Sequence, residues 1–231
     1  MAQTGAFTGF PREAFRFLEN LAAHNNLEWF DAHRGEWEEF LLHPAKALIA
    51  VLQAPLQELS PGIHVDPRVG GSLFSIRRDP QLSKDERPFR EHLDFWFWHG
   101  AHRAPVSALF MRMTATRLAL GAGCHIFEKD ALERFRRLMS QEAEADRLAV
   151  LTARLEHHGH QIEGVSHVGT ANGQGTTSTA QAHFLRHSGL WAIHDELLPS
   201  VVGTPDLADH CLSHWKHMQP LHAWLLDHLG D

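Results

Sequence analysis

The sequence predicts an α+β fold, with helices packed against a single antiparallel β-sheet in one compact domain covering residues 1–231. Three observations lead there. Apolar residues recur at helical spacing over residues 10–60 and again through most of 128–231, which calls for amphipathic helices. Residues 70–127 instead carry short alternating or continuous apolar runs bounded by Gly and Pro, the pattern of strands. No internal repeat and no linker separates these regions, so one layered domain is the economical arrangement.

Taken in order, Pro11 suits the first position of a helix in which Phe15, Leu18, Leu21 and Ala22 follow at helical spacing. Asn25 and Asn26 read as a C-cap followed by an N-cap. A second helix is expected from Leu27 to near Leu42, with Trp29, Phe30, Trp37, Phe40 and Leu41 as an aromatic core stripe. A third restarts at Pro44 and runs to Leu59, bent at Pro55. Strands are expected at 72–78, 92–99, 106–116 and 117–126, and helices at 129–140 and 142–158. Within 159–181 the Gly/Thr/Ser/Asn-rich run 169–179 has no apolar periodicity and reads as a mobile loop. A short helix at 190–198 and a long one at 206–229, bent before Pro220, complete the chain.

At 231 residues and 43% apolar content the chain can bury a sizeable core without disulfide or metal staples. Its two cysteines, Cys124 and Cys211, belong to no metal or redox spacing, so reduced thiols are expected. The first residues show no secretory leader, and no window approaches a membrane-spanning run, so a cytoplasmic protein without membrane contact is expected. A formal net charge of -7 argues against a nucleic-acid partner, which would require a basic footprint. Tyrosine is absent, which removes the phenol from any acid, base or nucleophile role. The 20 histidines titrate ordinarily near pH 6.5, so mild acidification adds much positive charge.

The densest chemistry lies between residues 77 and 90. Arg77, Arg78, Lys84, Arg87 and Arg90 crowd one strand end and the loop after it, interleaved with Asp79, Asp85 and Glu86. Guanidinium forks bind phosphate or carboxylate bidentately, so one reading is a site for a small anionic molecule, held by Arg77, Arg78, Asp79, Ser83, Lys84, Asp85, Arg87 and Arg90. Asp79 or Asp85 would accept a proton if turnover occurs. The alternative is a protein-interaction module in which these charges form a purely structural salt-bridge network. Catalytic residues and enzymatic status stay open.

Three segments carry a family resemblance. They are Phe7-Thr8-Gly9-Phe10 with Asn25-Asn26-Leu27-Glu28-Trp29-Phe30; Gly70-Gly71-Ser72-Leu73-Phe74 with Arg78-Asp79 and Ser83-Lys84-Asp85; and the helical run around 205–229. Together they resemble the bacterial and fungal domain-of-unknown-function family 2461. The resemblance implies a single compact domain and no established activity. Leu82, Glu86, Phe89 and Arg90 depart from the pattern expected of that family.

No metal centre and no cofactor is assigned from sequence. His210, His214 and His217 share one face of the last helix, but Cys211 stands where a zincin helix needs glutamate, so a solvated or packed histidine face is expected. His157, His158, His160 and His167, with Glu163, flank a turn as a weaker second group. No nucleophile elbow, phosphate-binding loop or dinucleotide fingerprint occurs. Strand alternation puts Trp96 and Trp98 on one side, to be covered by a helix or by a second copy in a homodimer.

Overall fold

Helix α1 (Arg12–Ala23) follows Pro11 and buries Ala14, Phe17, Leu18 and Leu21 along one stripe, as the spacing predicts. The Asn26 side chain accepts from the Trp29 N–H and starts α2 (Leu27–Ala32), and α3 (Arg34–Trp37) follows after His33. The restart expected at Pro44 does not occur. Residues Glu38–Leu42 form a π turn whose closing bond runs from the His43 N–H to the Glu38 carbonyl, and α4 (His43–Leu59) continues from it. Pro44 has no N–H for the carbonyl of Phe40, and the wider turn absorbs that missing bond without ending the helix.

The computed structural model describes residues 6–79, 81, 85–100, 105–165 and 178–230. Beyond α4 lie β1 (His92–Trp98), β2 (Ala108–Thr114), β3 (Arg117–Cys124), α5 (Lys129–Met139), α6 (Glu142–His157), β4 (Gln161–Glu163), α7 (Thr179–Phe184), β5 (Leu190–Leu197), a 3-10 turn at Ser200–Gly203, and α8 (Leu207–Leu229). The strands form one five-stranded antiparallel sheet in the order β1-β2-β3-β5-β4. The α+β class is therefore as expected. Among the described residues, no helix is long and apolar enough to cross a membrane.

Several elements differ from the sequence expectation. The segment 190–198 is strand β5, not a helix: its apolar run is too short for periodicity to decide, and pairing with β4 decides it instead. Strand β4 itself lies inside a stretch that reads as unstructured. Residues 72–78 make only isolated bridges, Leu73 with Val69 and with Phe95 and Arg77 with Phe89, because this segment leaves the edge of β1 after two bonds and turns to meet 88–90. The loop expected at 169–179 lies mostly within 166–177, outside the described residues; Ser178 and Gln181 form a capping box that opens α7. Gly123, at φ 135°, lets β3 approach β5, since a Cβ there would stand 2.3 Å from the Leu190 carbonyl oxygen.

The chain forms two compact units. The first comprises residues 1–97, 110–120 and 195–213, the second 98–109, 121–194 and 214–231. The divisions fall inside strands and inside α8, where no change of composition marks them. In the first unit Phe10, Phe17, Leu18, Leu41, Leu48 and Phe95 are fully buried; in the second Phe135, Leu148, Phe184 and Trp215 are.

Candidate functional site

In the first unit, the charged block closes on itself. Residues 76–78 and 88–90 pair through the Arg78 N–H to the Pro88 carbonyl and the Arg90 N–H to the Ile76 carbonyl. Arg78, its side chain only 17% exposed, donates to the Phe89 carbonyl at 3.1 Å and pairs with Asp85 at 3.1 Å. Arg87 bridges Asp85 and Glu91, each at 2.6 Å. Those hydrogen bonds hold the Asp85 carboxyl well below its ordinary range and raise Arg87 above its own. Arg90 donates to the carbonyls of Ser75 and Arg77. Asp79 is exposed and accepts from the Gln81 N–H.

Arg77 and Arg87 are both exposed, and of the two it is Arg77 whose side chain makes no hydrogen bond or ion pair among the described residues. Ser83 and Lys84 lie outside those residues. Asn25, read from sequence as a cap, instead treats Phe89 as a strand neighbour: its amide donates to the Phe89 carbonyl and its carbonyl accepts from the Phe89 N–H, both at 3.0 Å. Phe30 stacks on the Phe89 ring at 4.1 Å. The true cap of α1 is His24.

In the second unit, a set of histidines scattered through the sequence converges. Helix α6 ends in a Schellman turn: the Gly159 N–H reaches the Glu156 carbonyl and the His160 N–H reaches the Leu155 carbonyl, with Gly159 at φ 81°. That turn delivers His160 to the start of β4. The antiparallel register pairs Gln161 with Ile193 and Ile162 with Ala192, so one step further places His160 opposite His194 on β5. Helix α8 contributes His214 and His217 from one face.

His160 is 2% exposed, and neither of its ring nitrogens has a hydrogen-bond partner among the described residues. Burial, then the neighbouring His194, His217 and His158, push its pKa down to about 4, so it is neutral at pH 7. The ligand atoms of His160, His194 and His214 all lie within 4.8 Å of one another. The rings of His194 and His214 stack at 3.9 Å, and those of the exposed His158 and His217 at 5.0 Å.

His210 pairs with Glu196 at 2.6 Å in the first unit, and His157 stands beside His158 in an edge contact. His167 lies outside the described residues. Cys124 and Cys211 are free and buried, and burial raises both thiols, Cys124 to about 11, which leaves neither reactive. His222 is fully buried, with its Nδ1 2.7 Å from the Ser107 hydroxyl oxygen.

The family model described as a conserved hypothetical protein, DUF2461, matches residues 13–224. The chain belongs to the DUF2461 family. No curated protein and no solved structure matches it. In this DUF2461 chain the histidine centre draws on both groups noted from sequence and adds His194, which neither contained. The helix-stop glycine before His160 was a local signal for one of its members. Nothing local could have found His194, because its place follows from the pairing of β4 with β5.

Proposed function

We propose that this DUF2461 protein binds a divalent transition-metal ion at His160, His194 and His214, all within its second unit. The observation that carries the proposal is His160: a buried imidazole whose two nitrogens have no hydrogen-bond partner among the described residues, with the ligand atoms of two more imidazoles within 4.8 Å. An unsatisfied buried polar group costs about 1–3 kcal/mol, and a coordinated ion removes that cost. Neutral imidazole suits zinc, copper, nickel and iron, while magnesium, calcium and manganese favour oxygen donors. The test is the melting temperature of the chelator-treated full chain with added Zn²⁺. A saturable rise is expected at one ion per chain, with at least about 100-fold weaker apparent affinity in His160→Gln. Absence of any rise, or an equal rise in the variant, overturns the assignment.

A second reading rests on the exposed guanidinium of Arg77, which makes no side-chain ion pair among the described residues and would meet a small phosphate- or carboxylate-bearing anion. The carbonyl and carboxylate partners of Arg78, Arg87 and Arg90 favour a structural clasp for the rest of the block, as the interaction-module alternative requires. A melting-temperature rise with inorganic phosphate that disappears in Arg77→Ala would support the anion reading.

A further inference from the structure

We infer that His217 completes the histidine centre as a fourth imidazole donor, making it a closed four-histidine site for a tetrahedral ion of the Zn²⁺ or Co²⁺ type. The inference rests on the metal-binding reading above and specifies its coordination. The His160 ring lies 5.9 Å from that of His194, 5.7 Å from that of His214 and 5.8 Å from that of His217. The buried hub thus has three imidazoles at nearly one distance, and His217 stands as close to it as the other two. Imidazoles bound tetrahedrally at a zinc–nitrogen distance of 2.0–2.1 Å have ring centres about 5.2 Å apart. The three ring distances from His160 are close to that spacing, and His217, which is not among the three residues whose ligand atoms lie within 4.8 Å of one another, must swing inward to join them.

The helix supplies the means. His214 and His217 are three residues apart on α8, so their side chains leave the same face one turn apart and can grip one ion. His217 is exposed and rests against the equally exposed His158 with ring planes 8° apart, which parks it at the mouth of the centre. Rotation away from His158 brings a nitrogen towards the ion. The His194–His214 stack, at 3.9 Å, is tighter than ligand geometry permits, so the ion enters by separating those two rings. With four protein donors no labile position remains, and the ion is retained as a structural or stored metal with no exchangeable water.

The test is visible absorption of the full chain loaded with Co²⁺, with and without azide. A closed tetrahedral site gives an intense d–d band that azide leaves unchanged. In His217→Ala the band weakens, Co²⁺ affinity falls at least tenfold, and azide now shifts the spectrum by occupying the vacated position. Far-UV circular dichroism and the melting temperature of the metal-free variant confirm that the exposed substitution leaves the fold intact. Azide sensitivity in the wild type, or unchanged affinity in His217→Ala, overturns the four-histidine centre while leaving the metal reading in place. Absence of any Co²⁺ band in the wild type overturns both.

Discussion

The charged loop of the first unit and the histidine centre of the second invert one another. The loop is conspicuous in sequence and quiet in structure: Arg78, Arg87 and Arg90 are occupied by carbonyls and carboxylates of their own neighbourhood. The centre is scattered in sequence, over residues 160 to 217, and in structure leaves a buried imidazole with no hydrogen-bond partner among the described residues. The difference teaches that a dense run of mixed charge carries its own partners, whereas single polar side chains brought together by topology do not. Unsatisfied bonding capacity is the better pointer to a ligand.

Acid should separate the two regions most strongly. In the second unit burial, then His99, pushes His222 down to about 3, and burial, then His183, pushes His187 down to about 4. Both lie below the ordinary 6.5, so as pH falls the unfolded chain takes up protons first. Stability that is whole above pH 6.5 therefore drains between 6.5 and 4, by about 3 kcal/mol per histidine.

In the first unit Asp94, 16% exposed, behaves oppositely. Burial alone would raise it, but hydrogen bonds from His92 and Arg112 override that and hold it at about 2. Its contribution is present above pH 4 and is lost as pH falls through 2, about 2 kcal/mol in all. Urea denaturation across pH 7 to 2 is expected to show two separate losses, the later one absent in Asp94→Asn. A single loss confined to the lower window would break the contrast.

Substitutions within the loop sharpen its structural reading. Asn25→Ala leaves the Phe89 N–H without its Asn25 acceptor and the Phe89 carbonyl with Arg78 as its remaining side-chain donor, and a loss of about 2 kcal/mol is expected by chemical denaturation. Arg87→Ala removes ion pairs made by a side chain that is 50% exposed, and a change below about 1 kcal/mol is expected. Should Arg87→Ala prove the costlier, the loop is held by its charges and not by the Asn25 insertion.

What was legible in the sequence follows the reach of each interaction. The stripe of α1, the Asn26 cap and the α+β class rest on neighbours within a turn or two, and local pattern suffices for them. The π turn before Pro44 was missed because a proline reads as a break, although a wider turn can carry it. Strand β5 was missed because its identity lies in a partner strand far away in sequence. In the same way Asn25 looked like a cap because its real partner, Phe89, is 64 residues distant. The three-histidine face of α8 was visible, but His210 turns to Glu196 while His214 and His217 join the centre, a division that only packing decides.

The segment 72–74 has a consequence for self-association. It lies along the outer edge of β1, where the Phe74 N–H bonds to the Asp94 carbonyl and the Trp96 N–H to the Ser72 carbonyl. At the other end of the sheet β4 is three residues long, and its Gln161 and Glu163 are exposed. One border is already occupied and the other is too short and polar to template an incoming strand. Growth of this sheet at that border must first peel residues 72–74 away, so retention of that segment on β1 guards the chain against edge-to-edge aggregation.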